Sequence, residues 1–172
     1  MRTNFFAVLG VVLSSLLLSA PASRAAEPQA QQTTQTGVYK MAIDRSVSLD
    51  EAAESMRLRA NALNLKLVAE LPLSKQVEAV VGSPQPVITI FQFCDAVTAK
   101  DLIDVDVELA IYMPCRIALV EDKKGQGQIV MMDIDIEMLA KQKKLSPELK
   151  ARIAEVRKSL EAIMRAGANG DL

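Results

Sequence analysis

Residues 87–93 read Val-Ile-Thr-Ile-Phe-Gln-Phe, the run of the chain with the most β-branched and aromatic residues. Such side chains favour a strand because their shapes pack well against neighbours on a pleated, half-buried surface. Pro84 and Pro86 precede the run and Asp95 follows it. Since residues of these types interrupt regular structure or begin a helix, the sequence predicts one central strand between two breaks.

Two further strands follow downstream. Residues 116–121 (RIALVE) and 128–134 (QIVMMDI) are rich in branched apolar residues, and the stretch 122–127 (DKKGQG) between them is polar and contains glycine. A short polar connection with glycine between two β-prone runs is typical of a hairpin. We therefore predict antiparallel pairing here.

Upstream, residues 38–43 and 65–69 read as strands on either side of a helix. Ser48 and Glu51 have the spacing of a capping box, in which each side chain satisfies a backbone N–H of the other residue. Weaker helical patterns cover 74–81 and the stretch after Asp95. Strands clustered in sequence predict an α+β fold with an antiparallel sheet of four to five strands flanked by helices.

The C-terminal region predicts one longer amphipathic helix over 146–167. Ser146 and Pro147 suit the N-cap and the first helical position, and Gly167 suits the end. Apolar residues follow at steps of four, three, four and three, which places them on one face: Leu149, Ile153, Val156, Leu160 and Ile163. This face can pack on the chain's own sheet or pair two subunits, and the first arrangement is favoured because the stripe is short.

The sequence pattern at the N-terminus predicts that the protein is exported. Residues 1–25 combine a basic start, an apolar run over 5–18 that is shorter than the roughly 20 residues a bilayer span needs, and small residues before a cleavage site. We expect residues 1–25 to be a signal peptide, 26–36 a disordered polar leader, and 37–145 the folded α+β domain. The mature protein would then be periplasmic or secreted, without a stable membrane anchor.

The composition excludes several function classes. The chain has 20 Lys and Arg against 21 Asp and Glu, so it lacks the basic surplus that nucleic-acid binding requires. It has no His, which excludes Ser-His-Asp triads, HExxH zinc sites and His-ligated haem. The residue types present point to no particular cofactor, and no catalytic constellation is recognisable among them.

The two cysteines are the candidate site. Cys94 follows the strand over 87–93, and Cys115 precedes the strand over 116–121, so both sulfurs would lie at one end of an antiparallel pair. Two cysteines in an exported chain favour a disulfide. The alternatives are a redox-active pair, two inert buried thiols, and a copper or haem site.

Three neighbours bear on these alternatives. Arg116 and the N-terminus of a helix capped by Asp95 would lower a thiol pKa, as redox chemistry requires. Met113 would add a thioether to two thiols, and sulfur ligands select Cu(I). An acidic group nearby is expected to be a solvated helix face and not a calcium loop: Asp101, Asp104, Asp106 and Glu108.

The segment Phe91-Gln92-Phe93-Cys94-Asp95, followed by the run 113–122 (MPCRIALVED), resembles domain of unknown function family 302, in particular exported members with a Pro-Cys-Arg-Ile motif. The similarity covers roughly residues 46–139, which leaves the final helix outside it. Many members carry a Gly-Asn-Pro-type loop where this chain has Cys94-Asp95-Ala96. The resemblance implies the order β-α-β4-α, similar to TATA-binding-protein-like domains, and implies no DNA binding.

Three function classes follow from these observations. The favoured one is a non-enzymatic module that binds a small ligand or a protein partner, because no catalytic constellation is present. The alternative is thiol and disulfide redox chemistry at Cys94 and Cys115, and the third is copper or haem binding. The sequence leaves the oligomeric state open.

Overall fold

The computed structural model describes residues 31–33 and 37–171. Its sheet contains six antiparallel strands in the order β1-β2-β6-β5-β4-β3. The strands are β1 (Gln31–Thr33), β2 (Val38–Ala42), β3 (Lys66–Pro72), β4 (Ile88–Cys94), β5 (Cys115–Glu121) and β6 (Gly127–Met132). The predicted α+β fold, its antiparallel sheet and the β5–β6 hairpin are confirmed, and β4 lies inside the sheet as expected.

Five α-helices and one 3₁₀ helix accompany the sheet within the described ranges. The α-helices are α1 (Leu49–Ala62), α2 (Leu73–Val81), α3 (Ala96–Val105), α4 (Ile136–Lys143) and α5 (Pro147–Asn169), and the 3₁₀ helix spans Val107–Tyr112. The capping box at the start of α1 is present: Ser48 N donates to Glu51 Oε2 at 2.8 Å, and Glu51 N donates to Ser48 Oγ at 3.2 Å. Ser146 caps α5 in the same way, accepting from Leu149 N at 3.1 Å.

The predicted signal peptide over 1–25 lies outside the described residues. The predicted leader over 26–36 is described only at 31–33, where the chain forms β1 against β2. No helix in the described part of the chain is both long and apolar enough to cross a membrane.

The main core lies on one face of the sheet, beneath α1 and α5. Alternate residues of the strands point into it, among them Phe91, Ile117, Ile129 and Met131. Helix α1 contributes Ala52, Met56 and Ala60, and α5 contributes Leu160 and Ile163. The apolar stripe of α5 is therefore buried within its own chain.

A second, smaller core lies beside the first. It joins α3, the 3₁₀ helix, α4 and the start of α5 through Leu102, Leu109, Leu139 and Leu149. Half-buried Tyr112, Met113 and Ile153 pack against it. These helices form a cap over the end of the sheet where β4 ends and β5 begins.

Helix α5 continues past Gly167 and ends at Asn169, so the predicted end is wrong by two residues. Gly170, in the left-handed conformation at φ 70°, is the residue that follows it. Gly167 has a different role: a Cβ there would lie 2.6 Å from Met56 Cγ and 3.1 Å from the carbonyl oxygen of Ala52. The missing side chain lets α5 approach α1 closely.

Candidate functional site

An apolar cleft of about 420 Å³ lies at the end of the sheet where β6 ends and β5 begins. Its volume is within the range of roughly 300–1,000 Å³ found for small-molecule sites. We call it the end cleft. Its lining residues are Gly37, Val38, Ile90, Tyr112, Pro114, Cys115, Arg116, Ala118, Val130, Met131, Met132, Ile134, Ile136, Ile153, Val156, Arg157 and Leu160.

The strand side of the end cleft comes from one row of the sheet. Ile90, Ala118 and Val130 are direct cross-strand partners on β4, β5 and β6. They lie on the face opposite the main core, since alternate strand residues point to opposite faces. Ala118 stands between two larger neighbours, so its short side chain leaves space above the middle of this row.

The helix side comes from α5. Ile153, Val156 and Leu160 recur at steps of three and four, which places them along one stripe of the helix. Tyr112 and Pro114, between the 3₁₀ helix and β5, add to the lining. Because α5 packs on the core face of the sheet and the strand row lies on the opposite face, the lining includes residues of both faces, which meet at the end of the sheet where β5 begins and β6 ends.

The charged side chains in this lining are two arginines, Arg116 and Arg157, and no carboxylate belongs to it. Arg157 is fully engaged: its Nε and Nη2 donate to Asp133 Oδ1 at 3.0 and 2.8 Å, and it also pairs with Glu161. Its guanidinium lies 5.7 Å from the centre of the Tyr39 ring. Arg157 therefore connects α5 to Asp133, the residue that follows β6, and to Tyr39 of β2.

Arg116 differs from Arg157. It is exposed on β5 opposite Gln92, and it makes no ion pair or side-chain hydrogen bond with any residue that the structure describes. Arg116 is thus the charged group of the end cleft that remains available to a ligand.

The predicted cysteine site lies next to the end cleft. A smaller apolar cavity of about 70 Å³ is lined by Cys94, Cys115, Asp95 and Met113, together with residues of the second core. We call it the cysteine cavity. Cys115 also lines the end cleft, so the two spaces share a wall. The structure therefore brings together all the residues singled out from the sequence, with Arg116 on the end-cleft side.

The predicted disulfide is absent, and both cysteines are free thiols. The strand register gives the reason. Cys115 pairs directly with Phe93 and not with Cys94. Because adjacent residues of a strand point to opposite faces, the side chains of Cys94 and Cys115 leave the sheet on opposite faces, although both line the cysteine cavity at its end.

The low thiol pKa that redox chemistry needs is also not found. Burial is the main cause that raises the pKa of Cys94, with a smaller contribution from Asp95. Burial likewise raises the pKa of Cys115, with a smaller contribution from the charge of Cys94, and Arg116 opposes this rise only weakly. The expectation that Arg116 and the start of α3 activate a thiol is therefore wrong, because desolvation of the thiolate dominates.

Asp95 has a structural role. Its Oδ1 accepts from Thr98 N at 2.7 Å and so caps α3, as predicted. Among the described residues, no group of three or more Cys, Asp or Glu side chains is arranged to hold a metal ion.

The acidic residues of α3 and the 3₁₀ helix hold the cap together. Asp101 pairs with Arg152 of α5, and Lys143 of α4 pairs with both Asp106 and Glu108. The remaining member, Asp104, pairs with Lys100 within α3. These carboxylates are therefore partnered, and their ion pairs link α3 to α5 and the 3₁₀ helix to α4 around the second core.

The family described as domain of unknown function DUF302 matches residues 39–167. The chain belongs to the DUF302 family. The match includes α5 up to residue 167, so the expectation that the final helix lies beyond the shared segment is corrected.

One solved structure shows the same fold. An uncharacterized conserved DUF302 protein from Bacillus stearothermophilus, solved as a crystal structure, is similar with a TM-score of 0.62 at 16% sequence identity. The similarity covers 76% of this DUF302 chain and 98% of that one. No curated protein matches the chain.

Sequence reasoning missed the end cleft. Its strand row depends on which residues pair across β4, β5 and β6, and no short motif encodes that register. One signal was present: the stripe of α5 continues through Ile153 and Val156, which are only half-buried in the core and line the cleft.

Proposed function

We propose that this DUF302 domain is a non-enzymatic module that binds a small, largely apolar molecule in the end cleft. The observation that carries the proposal is the lining itself: branched and thioether side chains from four strands and α5 surround about 420 Å³ of space. Burying an apolar ligand there is favourable by roughly 25 cal/mol for each Å² removed from water.

The chemistry of the lining supports binding over catalysis. Cys115 is its nucleophilic side chain, and burial raises its thiol pKa. The chain has no His, and no carboxylate lines the cleft; the Asp95 carboxylate, which lines the cysteine cavity that Cys115 also borders, caps α3 by accepting from Thr98 N. A binding role needs none of these groups.

Substitution of Ala118 by leucine tests the proposal, because the added branched side chain would occupy the cleft above the strand row. The neutral fluorescent dye N-phenyl-1-naphthylamine serves as the probe. We expect saturable binding to the unsubstituted protein and at least a roughly ten-fold weaker affinity for Ala118→Leu, equivalent to about 1.4 kcal/mol.

The matched control is Ala69→Leu. Ala69 is also a half-buried alanine of the sheet, but it lies on the edge strand β3 and does not line the cleft. It should leave dye affinity unchanged. Absence of saturable binding, or equal binding by both variants, would contradict the proposal, as would a stable dimer that Ala118→Leu converts to monomer.

We further propose that the protein is exported, with residues 1–25 removed. The basic start and the short apolar run over 5–18 support this proposal. The intact mass of the protein recovered from the expressing bacterium should correspond to a chain that begins at Ala26. Recovery of the full-length mass from the cytoplasmic fraction alone would contradict it.

A further inference from the structure

We infer that the ligand of the end cleft is a single-chain amphiphile with an anionic head, such as a carboxylate, and that Arg116 binds this head. The inference rests on the proposed function, since it specifies the ligand class of the same cleft.

The lining of the end cleft carries positive charge that is only partly neutralised. Arg116 and Arg157 are the charged side chains of the lining. Asp133 and Glu161 offset the charge of Arg157 from outside the lining, whereas Arg116 has no such partner in the described structure. An anionic head would therefore meet one unneutralised cation at this site.

The position of Arg116 on β5 suits a ligand head that stays in contact with water. Arg116 is exposed, while Ala118, two residues along β5 on the same face, is half-buried in the strand row. A ligand whose chain lies on that row can thus place its head at the guanidinium, where it stays in contact with water. A guanidinium presents parallel N–H donors that match the two oxygens of a carboxylate.

The lining beyond Arg116 is apolar. From Arg116, the lining continues along the same face of the sheet through Ala118, Ile90, Val130 and Met132 without an anionic side chain. Such a surface suits a chain of methylene groups. Each methylene that it buries should tighten binding roughly four-fold until the cleft is full.

The test compares ligands that share one chain and differ in the head. Dodecanoate and dodecanol, both below their aggregation concentrations, are titrated into the full mature chain by displacement of N-phenyl-1-naphthylamine. We expect dodecanoate to bind more tightly than dodecanol. Arg116→Gln should weaken dodecanoate about ten-fold or more and leave dodecanol within two-fold, because a hydrogen-bonded charge is lost and the apolar contacts remain.

Two control variants sharpen the result. Arg59→Gln removes an exposed cation of α1 that lies outside the cleft, and it should change neither ligand. Arg116→Lys keeps the charge without the paired donors, and it should recover part of the dodecanoate affinity. Circular dichroism and dodecanol binding show whether each variant is folded.

The outcomes separate the two proposals. If dodecanol and dodecanoate bind equally and Arg116→Gln affects neither, the anionic head is contradicted while apolar binding stands. If neither ligand displaces the dye and the dye itself does not bind, the proposed function fails. Equal weakening of both ligands by Arg116→Gln would also overturn the inference.

Discussion

Replacing Phe91 with alanine is expected to lower the free energy of unfolding by about 3–5 kcal/mol. Phe91 is 0% exposed on β4, and its ring is parallel to that of Phe93, with centroids 6.2 Å apart. The guanidinium of Arg57 lies 5.6 Å from its centre. Truncation removes a large buried ring and leaves a void that the rigid sheet and α1 cannot fill.

Urea unfolding followed by circular dichroism measures this loss. The control is Val80→Ala on α2, whose side chain is 86% exposed and should change stability by no more than about 0.5 kcal/mol. A loss of less than about 1 kcal/mol for Phe91→Ala would show that the main core is not built around β4 as described.

Replacing Leu109 with alanine should cost about 2–5 kcal/mol and loosen the cap over the cysteine cavity. Leu109 is 1% exposed in the 3₁₀ helix, where it packs with leucines of α3, α4 and α5. It also lines the cysteine cavity beside Cys94 and Cys115. We therefore expect faster alkylation of both thiols by iodoacetamide, measured by mass spectrometry at neutral pH.

Ile111→Ala is the matched control for this cap variant. Ile111 lies two residues further along the same 3₁₀ helix and is 72% exposed. It should change neither stability nor thiol alkylation appreciably. If Leu109→Ala leaves the alkylation rate of both cysteines unchanged, the second core does not protect the cysteine cavity.

The elements with local signals could be predicted from the sequence. The branched run over 87–93 became β4, the capping box at Ser48 began α1, and Ser146 with Pro147 began α5. Each signal depends on residues within one turn or one strand, so it is visible in the sequence without knowledge of the tertiary contacts. The overall class followed because the strands cluster in sequence.

The predictions that were wrong concern features that depend on long-range packing. Glycine commonly ends a helix, so local rules place the end of α5 at Gly167. The residue lies inside the helix instead, and it is glycine because α1 leaves no room for a side chain there. The cysteines were expected to meet because their strands are neighbours. A register that differs by one residue places them on opposite faces, and the sequence alone does not encode that register.

The most direct test of the central claim is an NMR titration of methyl-labelled protein with N-phenyl-1-naphthylamine. If the end cleft binds the dye, its aromatic rings should shift the methyl signals of Ile90, Ala118, Val130 and Met132 saturably and together. The methyl signals of Leu102 and Leu139 in the second core, which do not line the cleft, should stay in place. Signals that do not shift, or that shift only away from the cleft, would contradict a ligand site at this end of the sheet.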